Sequence, residues 1–187
     1  SNKKIVLMPG SRKSEILAHG KIFLETAKKI KKYDQEFSFH MPLVDESHIN
    51  LIEGLKKEDW IEISIENAKE VLKDSSMGFV TSGTASLEAA LYGTPVVVAY
   101  KTNWLSYKVI KPLLRIKNIS LPNILSEKEL LPEFLQDDVN PESLLEGFKI
   151  IQNNYLNCLK DFERIHTSLL SDGPNTAAVR VLEIIDS

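Results

Sequence analysis

Residues 77–100, MGFVTSGTASLEAALYGTPVVVAY, restrict the fold of this chain more than any other stretch. Met77 to Thr81 is a short, mostly apolar run broken by Ser82-Gly83-Thr84, the pattern of a strand buried in a parallel sheet. Leu87, Ala90 and Leu91 then fall at helical spacing, and Gly93-Thr94-Pro95 closes that helix. A second β-branched run follows from Pro95 to Ala99. Strand, turn, helix, turn and strand make a βαβ unit, whose two strands must lie parallel. Small residues at the first turn let a ligand come close to the backbone. The helix beyond it offers unpaired N–H groups and the positive end of its dipole, which suits a phosphate. Glu88 lies four residues beyond Thr84, on the same helical face, where a carboxylate can accept both hydroxyls of a ribose. The same residues also describe an ordinary capped helix with a solvated glutamate.

The start of the chain repeats the arrangement. Lys4 to Met8 is an apolar strand that runs into Pro9-Gly10-Ser11-Arg12, and Ile16, Leu24, Ala27 and Ile30 mark a long amphipathic helix. Lys28, Lys29, Lys31 and Lys32 cluster near its end, where cations favour the dipole. This turn carries one hydroxyl, Ser11, and one side chain suited to bidentate phosphate binding, Arg12. Glu36 to His40 alternates as a strand that Pro42 ends, Asp45 to Lys57 reads as a helix, and Trp60 to Ser64 as another strand. Asn67 with Glu70 three residues on opens a short helix. The order β-α-β-α-β-α-β-α-β predicts an α/β fold: a doubly wound parallel sheet with helices on both faces, binding at the carboxyl edge of its strands.

At 187 residues, with 43% apolar and 26% charged residues, the chain can bury a core of ordinary size. A net charge of −3 argues against a dedicated nucleic-acid binder. The single Cys158 excludes an internal disulfide and fits a reducing compartment. His19, His40, His48 and His166 show no metal-ligand spacing and read as helix, strand or surface residues. Ser1-Asn2 directly ahead of a strand, with no initiator Met, is the pattern of a domain cut from a longer chain.

Beyond Tyr100 the composition changes. Lys101, Lys108, Lys111, Arg115 and Lys117 occur without an acid between them, interleaved with Trp104, Leu105, Tyr107, Val109, Ile110, Leu113 and Leu114. This is either a basic amphipathic helix for an anionic membrane or lipid, or a helix packed on the sheet with solvated lysines. Ser120-Leu121-Pro122-Asn123 reads as irregular. Pro132 to Gln136 follows, and Pro141 opens a helical region to about Ser171. Asp172-Gly173-Pro174-Asn175 is a turn, and Ala178, Val181, Leu182 and Ile185 form the stripe of a last helix that must dock on something.

LMPGSRKSEI, FVTSGTASLEAALYGTPVVVAY, SLPNIL and PEFLQ together resemble the lipid-A-disaccharide synthases, over nearly the whole chain and in order. The resemblance implies one Rossmann-like half (1–171) of a GT-B glycosyltransferase, the UDP-binding C-terminal half, with residues 172–187 as a crossover helix. That helix is expected on the N-terminal domain, on its own sheet, or on a second copy, giving a homodimer by segment exchange. The implied reaction moves 2,3-diacylglucosamine from its UDP-sugar to a lipid X-type acceptor, 2,3-diacylglucosamine 1-phosphate, at the cytoplasmic face of the inner membrane. Gly10, Ser11 and Arg12 would meet the donor's phosphate or sugar, with Arg12 stabilising the diphosphate. Ser82, Gly83 and Thr84 would hold the diphosphate, Glu88 the ribose, and Asn123 and Gln136 would face the cleft. No cofactor or metal is implied. The catalytic base is expected in the N-terminal domain, so this chain alone should bind UDP without turnover. Another UDP-N-acetylglucosamine transferase or epimerase would share the UDP site, though SLPN and PEFLQ favour the lipid A enzyme. A non-catalytic nucleotide-binding module is the reading from a different class. If the basic stretch meets membranes, replacing Lys108, Lys111 and Arg115 together will abolish sedimentation with anionic liposomes; unchanged sedimentation excludes that role.

Overall fold

The computed structural model describes residues 3–52, 59–65, 67–81, 83–102, 118–126 and 128–171. Six strands, β1 (Lys4–Met8), β2 (Ser38–Leu43), β3 (Ile61–Ile65), β4 (Met77–Val80), β5 (Val96–Tyr100) and β6 (Glu133–Leu135), form one sheet in the order β3-β2-β1-β4-β5-β6. Every pairing in it is parallel. Between and after the strands come α1 (Lys13–Tyr33), α2 (Glu46–Ile49), α3 (Ala68–Lys73), α4 (Gly83–Leu91), α5 (Leu121–Ser126), a 3-10 turn (Gln136–Asp138) and α6 (Pro141–Ser171).

The strand order follows from the alternation of strand and helix. The chain builds outward from β1 through β2 to β3, then returns to lay β4 on the other side of β1. The crossovers before the reversal (α1 and the α2 segment) therefore cover one face and those after it (α3 and α4) the other, so the chain leaves the carboxyl ends of β1 and β4 in opposite directions. That divergence opens a crevice at the carboxyl edge.

Each face of the sheet has its own core. Ile5 and Leu7 of β1 point to the face covered by α1, among Phe23, Ala27, Ile30, Phe39, Phe79 and Phe148. Val6 points to the other face, with Val71, Leu72, Ala89, Ala90, Val96 and Val98. The long α6 serves both: Leu144, Phe148 and Ile151 join the first core, Phe162 and Ile165 the second. A 31-residue helix is about 46 Å long at 1.5 Å per residue, enough to reach from one layer to the other.

Two local expectations are corrected. Pro42 does not end β2, which continues to Leu43. Amide direction alternates along a parallel strand: Ser38 donates to Lys3 of the β1 side, Phe39 to Trp60 of the β3 side. Position 42 therefore faces β1, where the missing N–H costs no bond to β3, and β1–β2 pairing stops at Val6–His40. The segment around Ser120-Leu121-Pro122-Asn123 is helical rather than irregular, as α5 begins at Leu121 and its proline occupies the first turn, where no N–H is required. Of the helix expected over 45–57, α2 covers Glu46–Ile49, and 53–58 lie outside the described residues.

The β1–β4 seam requires a small residue. A β-carbon on Gly78 would lie 2.6 Å from Val6 Cγ1 and 3.2 Å from the Val6 carbonyl oxygen. Gly78→Ala should therefore cost ~1–3 kcal/mol by overpacking, read as a lowered urea midpoint with an unchanged m-value. An unchanged midpoint would show that the seam can spread.

Candidate functional site

Gly10 leaves β1 with φ of 111°, in the region that favours glycine. A β-carbon there would also collide with the Glu15 side chain. Glu15 folds back from the first turn of α1: its Oε2 accepts the N–H groups of Ser11 at 2.9 Å and Arg12 at 3.2 Å. Its Oε1 lies 3.1 Å from Arg12 Nη1. The carboxylate thus holds the PGSR turn in shape and caps α1. The Arg12 side chain remains 80% exposed, so its pair with Glu15 is worth at most ~1 kcal/mol and yields readily to a phosphate.

One turn further along α1, His19 is buried. Its Nε2 lies 2.9 Å from the Lys101 N–H, which can only donate. The imidazole proton is therefore on Nδ1, which donates to the Glu15 carbonyl at 2.7 Å. Burial pushes the His19 pKa below its ordinary value, opposed by the hydrogen bond to the Glu15 carbonyl. The neutral ring joins α1 to the end of β5.

The next amide of that strand exit, Thr102 N–H, donates to Gln136 Oε1 at 3.3 Å. Gln136 begins the 3-10 turn after β6 with φ of 51°, and its Nε2 is buried without a hydrogen-bond partner among the described residues. Beside these groups lies a cavity of about 470 Å³. Its walls are the first two turns of α1 (Arg12, Ser14, Glu15, Ala18 and His19), Thr81 at the end of β4, and Tyr100, Lys101 and Thr102 at the exit of β5. This is the crevice that the strand order predicts.

The second glycine-bearing turn also reaches this edge. Ser82 lies outside the described residues, Gly83 opens α4, and Thr84 is exposed. Glu88 is half-buried one turn on, 3.7 Å from Lys69 Nζ. Thr84 and Glu88 stand apart from the cavity lining. The structure thus brings Arg12 directly to the cavity and Gln136 to its margin through Thr102, and sets Glu88 on the α4 side.

Asn123 is placed differently from the expectation. It is fully buried, and its amide is spent on the protein. Oδ1 accepts from Leu130 N at 2.8 Å and Leu131 N at 2.7 Å, while Nδ2 donates to Leu131 O at 2.8 Å and Glu133 Oε1 at 2.6 Å. The Glu133 carboxylate also accepts from the amides of Ile119 and Ser120 and from the Ser120 hydroxyl. Asn123 therefore fastens α5 to the entry of β6 and presents no free hydrogen-bonding group to a cleft.

Sequence reasoning missed Glu15, His19, Lys101 and Thr102 as members of this site. A signal was present for His19, which sits on the buried stripe Ile16-His19-Gly20-Phe23-Leu24 of α1. Among the described residues no group of three or more His, Cys, Asp or Glu is placed to hold a metal ion, and no helix is long and apolar enough to cross a membrane. Most of the basic stretch (103–117) and the terminal segment (172–187) lie outside the described residues.

A doubly wound parallel sheet with glycine-bearing turns at its reversal point defines the α/β, Rossmann-like fold class. Two solved structures share this fold. A mutant of S. aureus TarM, in complex with fondaparinux, alpha-GlcNAc-glycerol and UDP, matches with a TM-score of 0.61 at 14% identity, over 100% of this chain and 36% of that one. The catalytic domain of cholesterol-alpha-glucosyltransferase from Helicobacter pylori matches with a TM-score of 0.54 at 19% identity, over 90% of this chain and 98% of that one. At such identities the likeness concerns the fold alone. The family described as lipid-A-disaccharide synthetase matches residues 1–169, and the chain belongs to that family. The lipid-A-disaccharide synthase of Colwellia psychrerythraea is 36% identical over 192 aligned positions, covering 100% of this chain and 49% of that protein. The chain spans about half the length of the curated relatives it matches.

Asn123→Ala should lower the unfolding free energy by ~3 kcal/mol or more, since it strands buried backbone groups and part of the Glu133 carboxylate. Urea titration followed by tryptophan fluorescence reads this; a loss below ~1 kcal/mol would show that the network re-forms without Asn123.

Proposed function

We propose that this chain is the donor-binding half of a GT-B glycosyltransferase that makes the lipid A disaccharide. It binds UDP-2,3-diacylglucosamine, and the whole enzyme passes the sugar to a free hydroxyl of 2,3-diacylglucosamine 1-phosphate. The observation that carries the reading is the cavity that the PGSR turn, the end of β4 and the exit of β5 line at the β1–β4 reversal point. Membership of the lipid-A-disaccharide synthetase family supports the choice of substrate.

Each residue has a role in this scheme. Two cations, Arg12 and Lys101, border the cavity, and α1 and α4 direct their N-terminal amides toward the same edge. Gly10 and Ser11 supply the backbone approach, and Ser82, Gly83 and Thr84 the second cradle. Glu88 accepts the ribose hydroxyls; its long, partly exposed pair with Lys69 is weak enough to give way. The Gln136 amide supplies a donor for a donor-substrate oxygen, and Asn123 acts by holding α5 and β6 in place.

In the transfer step the acceptor hydroxyl oxygen forms the new bond to the anomeric carbon. The bond from that carbon to the diphosphate breaks, its electron pair leaves on UDP, and the hydroxyl proton passes to a base. This half stabilises the charge that develops on the diphosphate through fixed N–H groups and Arg12. The base is assigned to the N-terminal domain, which also supplies the acceptor surface, and the assembled enzyme works peripherally at the inner membrane. Segment 172–187 is assigned to docking on that domain or on a second copy.

Calorimetric titration with UDP tests the donor site. UDP should bind, AMP at least ~10-fold more weakly, and Glu88→Ala should weaken UDP by ~10-fold or more, the effect of losing hydrogen bonds to a charged group. Equal binding of AMP, or no binding by folded protein, would overturn the reading.

A further inference from the structure

At the exit of β5 two successive amides leave the sheet and are caught by side chains instead of by a neighbouring strand. Gln136 takes Thr102 N–H from the β6 side, and His19 takes Lys101 N–H from the α1 side. Of the two, only His19 can change its hydrogen-bonding character near neutral pH. We propose that His19 is a positioning residue for the donor site: accepting the Lys101 N–H on Nε2 while donating from Nδ1 to the Glu15 carbonyl, it holds the β5 exit in the shape that receives a nucleoside diphosphate, and it does so only as the neutral imidazole. The inference rests on the donor-site reading above.

The physical reason is the direction of each bond. A protonated ring carries N–H on both nitrogens, so Nε2 would point a donor at the Lys101 donor and the contact would turn from attraction to repulsion. Lys101 lines the cavity, and its neighbour Thr102 is tied to Gln136, so release of one amide disturbs both margins. His19 also reaches back to the carbonyl of Glu15, the residue whose carboxylate shapes the Ser11-Arg12 turn. One ring therefore braces two walls of the cavity.

Among the described residues, the charged and titratable groups around it are few. Glu15 and Arg12 come from α1 itself, Lys101 and Tyr100 from the β5 exit, and β4 contributes only the neutral Thr81. Phe23, with its ring centroid 6.0 Å away, supplies the apolar side. Burial is the leading cause that depresses the His19 pKa, and Lys101 adds to it. The sign follows: the braced site keeps its full strength above the ordinary imidazole pKa and loses it on the acid side, as pH falls through the depressed value.

The test compares the whole chain with His19→Gln and His19→Leu by UDP calorimetry between about pH 7.5 and about pH 5. Gln offers an acceptor near the position of Nε2 but does not titrate, and it exposes the ligand to the same phosphate ionisation. His19→Gln is expected to bind UDP about two- to fivefold more weakly at neutral pH, and the wild-type to Gln affinity ratio to fall about fivefold or more on acidification. His19→Leu, which has no acceptor, should lose about tenfold or more at every pH. The ring's nitrogen resonances should report the Nδ1–H tautomer in the wild type, and the Lys101 amide resonance should follow their titration. A constant wild-type to Gln ratio, or a Lys101 amide indifferent to His19, would overturn the inference while leaving the donor site standing. No UDP binding by the folded wild type would overturn both.

Discussion

The contact between β1 and β4 is the constraint on which the remainder of this structure depends. These strands are far apart in sequence, and their pairing reverses the direction in which the sheet grows. Gly78 makes the pairing close, because Val6 occupies the space where a β-carbon would stand. From that single seam follow the two separate cores, the divergence of α1 and α4, and the crevice at the carboxyl edge. Without the seam the two glycine-bearing turns would be unrelated loops.

At the crevice, hydrogen-bonding side chains continue what the sheet begins. Parallel ladders end abruptly, leaving amides that must be satisfied or face solvent. Glu15, His19, Gln136 and, behind them, Asn123 with Glu133 each capture such groups. The result is a set of loops whose shapes are held by side-chain hydrogen bonds to the backbone, of which the more buried, at His19 and Asn123, are costly to leave unmade. Arg12 is the exception, exposed and only loosely paired with Glu15.

Much of the fold was legible because its signals are local. The period of the apolar residues distinguished the buried strands from α1 and α6, and Asn67 marked the start of α3, where its side chain accepts the Lys69 N–H. The errors have a common cause. Pro42 looks like a strand ending until amide direction in the sheet is known, and Pro122 looks like a helix breaker although it occupies a first turn. Asn123 resembled a polar residue waiting for a ligand, yet its four hydrogen bonds are made seven to ten residues away, at Leu130, Leu131 and Glu133. The converse happened with His19, which reads in the sequence as an ordinary helix or surface residue, although its ring ties α1 to Lys101, 82 positions later.

By itself, the sequence determined the alternation of strands and helices, the two turns rich in small residues, and hence the fold class. Those properties depend on residues within a few positions of one another, where backbone stereochemistry and apolar periodicity decide. Which polar side chains face the crevice, and which are consumed in holding it open, was decided only by the tertiary structure. A buried amide or imidazole takes its role from whichever donor or acceptor the packed chain brings within 3 Å, and chain order does not encode that proximity.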